Sequence, residues 1–318
     1  MTNPNISQLV TSTLENYKNE LTDNITDFHP LYKKLKDKGN IIKESGGSLF
    51  REKLLYREND TIQYQGEYDL LDTTPQDVMT SADFQQKILT GTVTMSMKEM
   101  RQNAGKEKLI DLMMGKMKAL EAGLKNELGR AVYNDGTESN GQAIAGLQLL
   151  VADDAATGTV GGIDRANYSF WRNQEYDFSD NSVSTPTSDN MKTAMNELYN
   201  SCQAQAGELP DLALADNAYY NLYQDSLQTI QRITSSENGQ LGFEGIKYKN
   251  IDVYYDPQCP AEHMYFLNCD YLFLKHLGEM FNKEETTRVP NQLVYVTPVS
   301  FLGNMTLSNA RVHGVIKA

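Results

Sequence analysis

Between residues 106 and 134 the chain reads KEKLIDLMMGKMKALEAGLKNELGRAVYN, and the apolar residues Leu109, Met113, Met117, Leu120, Leu124, Leu128 and Ala131 recur at steps of four or three. That spacing draws one stripe down a helix and leaves Lys, Glu and Asn on the other faces. At a rise of about 1.5 Å per residue the helix would run roughly 40 Å, more than one compact core needs. Gly115, Gly123 and Gly129 each cost stability inside a helix, so the spacing predicts a bend or a close neighbour at these points. Asn134-Asp135-Gly136 is turn chemistry and ends the pattern.

A helix of this length needs a sheet to lie on, and a chain of 318 residues with 40% hydrophobic residues can build one and still have material for a second lobe. Residues 1 to about 38 read as an arm: Ile6, Leu9, Val10, Thr13, Leu14 and Tyr17 share a helical face, and a short helix follows His29-Pro30, closed by Gly39. From residue 41 the character turns to β. Segments 49–56 and 61–68 read as two strands of a long hairpin turned at Arg57-Glu58-Asn59-Asp60, after the flexible Ser45-Gly46-Gly47-Ser48. A lone hairpin is marginal in water, so one standing out from the body is expected to rest on another subunit. Residues 71–77 are a turn, and 84–98 alternate through Ile88, Val93, Met95 and Met97 into the long helix.

Past the helix, 136–162 is rich in small residues, 161–173 holds the single tryptophan, Trp171, and 181–188 has linker composition, which places a lobe boundary near it. The second lobe alternates. Ser188 or Asp189 caps a helix with Met191, Ala194, Met195, Leu198 and Cys202 on one face; a strand spans 212–215; Asp216 caps a helix through Tyr220, Tyr223, Leu227 and Ile230. Residues 246–255 read as one strand, and 264–268 with 271–275 as another pair. The tail from 292 reads as strands turned at Gly303-Asn304 that return to the first lobe. The fold class is α+β.

Chemistry is sparse. The 42 acidic residues against 29 basic ones give a net charge of −13, which argues against a nucleic-acid groove and against anionic lipid. The densest basic run, 33–38, reads as a solvated helix face. Three cysteines, Cys202, Cys259 and Cys269, with no CxxC, fit a reducing compartment; no secretory signal and no apolar window long enough to cross a bilayer is expected. Phosphate-loop, zinc-protease and nucleophile-elbow patterns are absent from the sequence, and Gly239, Gly242 and Gly245 precede a strand rather than open a helix. His29 and His313 have no carboxylate or nucleophile at a telling spacing. Cys259, His263, Cys269 and His276 are four possible metal ligands, but their gaps do not repeat as zinc pairs do, so no metal and no cofactor is expected. A zinc enzyme in 259–276 stays as the alternative from another class. The 18 tyrosines lack an interleaved basic set and read as core and subunit contacts.

Five strings in their order, HPLYKKLKDKGNIIKESGG at 29–47, LLDTTPQDV at 70–78, the helix string extended to 105–137, GGIDRANYSFWRN at 161–173 and CPAEHMYFLN at 259–268, make the chain resemble the major capsid proteins of tailed bacteriophages, with the Hong Kong phage-type capsid fold. The resemblance covers nearly the whole chain. It implies an N-terminal arm (1–40), an extended E-loop (41–77) lying across a neighbouring subunit, a peripheral domain (78–189) with the spine helix 106–134, an axial domain (190–286) and a return to the peripheral domain (287–318). It further implies hexamers and pentamers of identical copies closing an icosahedral shell around DNA held without sequence-specific binding. Tyr56, Arg57, Glu58, Asn59 and Asp60 would form the E-loop tip in contact with another subunit, and no residue would be catalytic. A portal protein, a separate scaffolding protein and decoration proteins are the implied partners, with no membrane. The implied location is the virion capsid, assembled in the bacterial host cytoplasm. Relatives that crosslink subunits use an E-loop lysine; Lys53 is available, but no partner asparagine stands out, and no crosslink is expected. An encapsulin-like nanocompartment shell and a tail-tube or sheath protein are the alternatives within assembly.

Overall fold

A computed structural model describes residues 29–102, 106–181, 183, 185–227 and 246–318. The arm helix at 6–17 and the glycines at 239–245 lie outside the described residues. Helix α1 (Pro30–Asp37) begins as the sequence predicts, with proline at its first position, where a missing N–H costs nothing, and Leu31 and Leu35 buried one turn apart. Gly39, at φ +74°, ends it. Strand β1 (Ile41–Glu44) then pairs in parallel with β12 (Leu272–Leu277), so these residues belong to the body and the projecting part starts later than residue 41.

The stalk of the projection is β2 (Leu49–Leu55) against β3 (Met79–Gln85), antiparallel from Leu49↔Gln85 to Leu55↔Met79. This corrects the expected partner, 61–68, which forms no strand. Phe50, Leu54, Ala82 and Phe84 are buried, whereas Ile62, Tyr64 and Tyr68 stand in solvent; only 79–85 brings apolar side chains at the two-residue period that the body can cover. Gly161 shows how tightly it is covered, since a Cβ there would lie 2.8 Å from that of Ala82.

One residue after β3, strand β4 (Lys87–Ser96) starts, and helices α2 (Met97–Gln102) and α3 (Lys106–Ala131) follow. Met117, Leu124 and Ala131 of α3 are buried with Leu120 and Leu128 packed beside them, which is the predicted stripe. The glycines resolve differently. A Cβ on Gly129 would stand 2.1 Å from Nε2 of His29, so the helix is met closely there, while Gly115 and Gly123 face open space. Gly91 of β4 lets Leu120 approach, a Cβ there falling 2.4 Å from its Cδ1.

Two short strands, β5 (Thr159–Val160) and β6 (Ile163–Asp164), precede β7 (Gln174–Asp177). Helix α4 (Ser188–Ala206) is capped by Thr187, one residue before the expected cap, and stopped by Gly207 at φ +73°. Then come β8 (Leu212–Ala215) and α5 (Asn217–Ser226), whose cap is Asp216 as predicted, accepting from the Tyr219 N–H at 2.8 Å. The segment 246–255 is two strands, β9 (Ile246–Tyr248) and β10 (Ile251–Tyr255), turned at Lys249-Asn250 with Lys249 at φ +51°. Strands β11 (His263–Leu267) and β12 do not pair with each other: β11 lies between β8 and the last strand, Gly314–Lys317, and β12 between β1 and the long strand Val294–Leu307. Asn268 and Asp211 hold the crossing, through an amide to the Leu209 carbonyl at 3.0 Å and a carboxylate on the Cys269 N–H at 2.8 Å.

After β13 (Asn282–Lys283) and β14 (Thr287–Arg288), strand β15 (Val294–Leu307) runs straight through Gly303-Asn304, where a turn was expected. Asn304 serves as a buried staple there, accepting from the Ala145 N–H and donating to the Gln85 carbonyl. Strand β4 lines one edge of β15 over ten residue pairs, and β12, β13 and β14 follow one another along the other. The last strand, β16 (Gly314–Lys317), does not return to this sheet; it lies between β7 and β11 in the second, ordered β7-β16-β11-β8-β10-β9. Because β7 pairs with β16, the chain enters the second sheet before the linker-like 181–188.

The second sheet is the wall between two cores. Leu212 and Leu214 of β8 face the core that α3 and the first sheet share, while Ala213 and Ala215 face α4 and α5 with Met191, Met195, Leu198, Tyr219 and Tyr223. A strand buried on both faces reads as an unbroken apolar run, and LALA adds that the helix side has room only for methyl groups.

Candidate functional site

The β2–β3 stalk ends where the Tyr56 N–H donates to the Val78 carbonyl at 3.2 Å, and residues 57–77 project beyond this closure with no strand of their own. Tyr56 is thus the root of the loop and not its tip, and Arg57, Glu58, Asn59 and Asp60 are its first exposed residues. Local turns shape the rest. Asn59 accepts from the Thr61 N–H at 2.9 Å, Asp69 from the Gly66 N–H at 2.7 Å, and Asp72 from the Thr74 N–H and hydroxyl at 2.9 and 2.6 Å. The Thr74 bonds hold the Asp72 carboxyl below the usual carboxylate range.

What the loop leaves uncovered is unusual for a folded chain. Leu55, Ile62, Tyr64, Tyr68, Leu70, Leu71 and Met79 are all at least two-thirds exposed, Tyr68 at 95% and Leu70 at 92%. Scattered surface leucines need no explanation, but this many large apolar side chains exposed along one projection do. Six carboxylates and one guanidinium between residues 56 and 78 give the loop a net charge of −5.

The root is fastened to the body. Arg51 and Asp83, opposite each other on the stalk, share two hydrogen bonds at 2.7 and 2.9 Å, and Arg51 keeps the Asp83 carboxyl below its ordinary range. Below them the Lys275 ammonium, buried, sits 2.8 Å from Glu52 and 3.4 Å from Glu44, and the Thr306 hydroxyl donates to Glu52 at 2.6 Å. The Tyr56 ring packs 5.6 Å from Phe170, which adjoins Trp171, whose indole N–H donates to the Val160 carbonyl at 2.9 Å. Arg165, 1% exposed, holds this region from inside by donating to the carbonyls of Trp171, Leu149 and Leu150; burial pushes its guanidinium down to about 10. Between the loop root and the 3-10 turn Ser169–Trp171 lies a groove of about 690 Å³, also lined by Tyr271 and Arg311.

The residues weighed as metal ligands do not meet. Among the described residues no three His, Cys, Asp or Glu side chains are placed to hold a metal ion. His263 opens β11, with Nδ1 on the Ala261 carbonyl at 2.7 Å and Nε2 on Asp153 at 3.1 Å. His276 lies in β12 of the other sheet, Cys269 in the crossing between them, and the Cys259 thiol donates to the His263 carbonyl at 3.6 Å. Burial pushes the Cys259 and Cys269 thiols up, which keeps them protonated. The four side chains weighed as zinc ligands in 259–276 are thus spread over two sheets and the connections between them. His29 sits 3.7 Å from Asp256, which also accepts from the Tyr133 hydroxyl at 2.9 Å, and His313 is fully buried with Nδ1 accepting from the Asn268 N–H.

Sequence reasoning placed the projection but misread its inside. The pattern T-I-Q-Y-Q resembles a strand, and the informative signal was the interruption at Gly66 and the density of carboxylates, which leave 61–72 nothing to pair with. The groove residues Phe170, Tyr271 and Arg311 come from three distant segments and carried no signal.

No protein family and no curated protein matches the chain in sequence. Solved structures do match it in fold. The capsid asymmetric unit of cyanophage A-1(L) superposes with a TM-score of 0.64 at 15% identity, over 88% of this chain and 90% of that one. The encapsulin SrpI of Synechococcus elongatus PCC 7942 gives 0.57 at 9% identity, over 91% and 88%. The capsid of Myoviridae phage XM1 gives 0.54 at 12% identity, over 88% and 90%. The chain therefore has the tailed-phage major capsid fold, an α+β architecture that encapsulins share.

Proposed function

We propose that this chain is a major capsid protein whose copies close into pentamers and hexamers of an icosahedral shell around phage DNA. The observation that carries the reading is the projecting loop, which together with the end of its stalk leaves seven large apolar side chains in water on a fold shared with capsid subunits. Apolar area of this kind is worth about 25 cal/mol per Å² once covered, and a second copy is the surface a shell supplies. The role is structural and not enzymatic, and it needs no cofactor. Among the described residues no helix is long and apolar enough to cross a membrane. The net charge of −13 suits a wall that encloses DNA without gripping it. A portal protein, a separate scaffolding protein and decoration proteins complete the set of partners, with the virion capsid as location and the bacterial host cytoplasm as the place of assembly.

Sedimentation of the chain expressed alone and with a scaffolding partner, with electron microscopy of each fraction, tests this. Five- and six-unit rings or closed shells support it; helical tubes, or monomers under both conditions, overturn it. The likeness to the Synechococcus encapsulin supports a second reading, a nanocompartment around protein cargo. Nuclease-protected DNA within particles from the natural source favours the capsid, and a single enclosed enzyme favours the nanocompartment.

A further inference from the structure

His263 opens β11 with each ring nitrogen on an acceptor oxygen: Nδ1 lies 2.7 Å from the Ala261 carbonyl and Nε2 3.1 Å from the Asp153 carboxylate. A neutral imidazole has one N–H and one bare lone pair, so it satisfies one of these oxygens and turns its lone pair on the other. The imidazolium donates at both nitrogens and satisfies both. The carbonyl is the nearer acceptor, so on loss of the proton the ring keeps its N–H there and Asp153 faces the bare nitrogen.

The surroundings favour the cation. Asp153 and Asp154 stand in the segment after Val151, Glu262 precedes the ring in the chain, and Asp216 follows β8, its N–H donating to the His263 carbonyl at 3.1 Å. On β16, Lys317 is the register partner of His263, but it is paired with Asp177 at 3.2 Å and also feels Glu175 of β7. Tyr265 of the same strand stacks its ring 6.0 Å away, and the Cys259 thiol on the His263 carbonyl stays protonated. Among these described residues carboxylates outnumber cations. Burial works against the charge, yet the Asp153 and Ala261 hydrogen bonds and the Asp153 and Asp216 carboxylates outweigh it and hold the imidazole above its ordinary range.

Asp153 belongs to a segment that leaves the first core for the second sheet. Leu150 and Val151 are wholly buried in that core, the Asn173 amide donates to the Ala152 carbonyl at 2.8 Å, and the Ala155 N–H donates to Glu175 at 3.1 Å. Between these two holds, the Asp153 side chain ties the segment to β11.

We propose that His263 and Asp153 form a pH-operated latch, which holds segment 152–155 on the start of β11 while the imidazole is protonated and frees it when the proton leaves. The folded chain binds that proton more tightly than the unfolded one, so the latch contributes fully below about pH 6.5 and is lost as pH rises through the higher value of the folded state. It is a property of the single folded chain and does not rest on the assembly reading.

Two measurements on the full-length chain test it. With 13C-labelled histidines, and His263 assigned by its loss in His263→Gln, that imidazole should titrate above about pH 6.5, and Asp153→Asn should shift its midpoint to lower pH. Hydrogen exchange read by mass spectrometry, corrected for base catalysis, should show peptides over 152–155 losing protection across the same titration, with no such step in His263→Gln. A midpoint at or below about pH 6.5 in the unsubstituted chain, a midpoint unmoved by Asp153→Asn, or exchange at 152–155 that is indifferent to this titration overturns the latch. Exchange is read equally on free chains and on assembled shells, so these outcomes stand apart from the fate of the capsid reading.

Discussion

Strand β8 and the loop beyond Tyr56 treat apolar residues in opposite ways. Leu212, Ala213, Leu214 and Ala215 are wholly buried, walled by one core on each face, and the chain completes their burial unaided. Ile62, Tyr64, Tyr68, Leu70 and Leu71 are nearly as apolar and stay in water. The first region is bounded by neighbours far apart in sequence: β8 pairs with β10 and β11 and shares a core with α4 and α5. The second is bounded only by its own turns. A subunit that folds alone and assembles later needs both, a body that does not depend on its neighbours and a surface that does.

Substitutions sharpen this contrast in order of effect. Leu214→Ala should cost about 2–5 kcal/mol of monomer stability in chemical denaturation, since the wall cannot collapse into the space left behind; a loss below about 1 kcal/mol would show that the wall is loosely packed. Gly146→Ala comes next, at about 1–3 kcal/mol, because a Cβ there would fall 2.4 Å from the Asn134 nitrogen and 2.5 Å from the Ala131 oxygen, backbone atoms that cannot swing aside.

His313 tests the same body by pH. Burial pushes its imidazole down to about 3, so between pH 6.5 and 3 the unfolded chain binds a proton that the folded chain refuses. Stability should therefore fall on acidification through that window by up to about 1.4 kcal/mol per pH unit, and His313→Gln should flatten that part of the denaturation profile. Gly123→Ala, on a face of α3 with nothing within 4 Å, should raise the unfolding midpoint, by up to about 1 kcal/mol of added stability.

The loop closes the series. Leu70→Ala and Tyr64→Ser should each change monomer stability by less than about 0.5 kcal/mol, as exposed sites do, yet reduce the fraction of chain found in rings or shells by sedimentation. A loop variant that destabilised the monomer as much as Leu214→Ala would erase the distinction between the two regions.

Much of this was legible in local pattern. The stripe Met117, Leu120, Leu124, Leu128 and Ala131 specified α3, proline and glycine bracketed α1, and Asp216 marked the start of α5, because helix periodicity and capping act within a few residues. The projection at the loop was legible too, as was the fold through the resemblance. Strand partners were not. The sequence by itself determined which segments are helical and which are extended, but an extended segment says only that it has two faces. That β2 pairs with 79–85, that β11 and β12 part into different sheets, that Gly303-Asn304 continues a strand and that β16 joins the second sheet were decided by tertiary structure. The physical reason is that hydrogen-bonding edges are chemically alike, so the choice among them falls to side chains brought together from across the chain: Phe50 against Phe84, Asn304 against Ala145 and Gln85, Gly314 admitting Leu198. The groove at the loop root, assembled from four such distant segments, belongs to the same class.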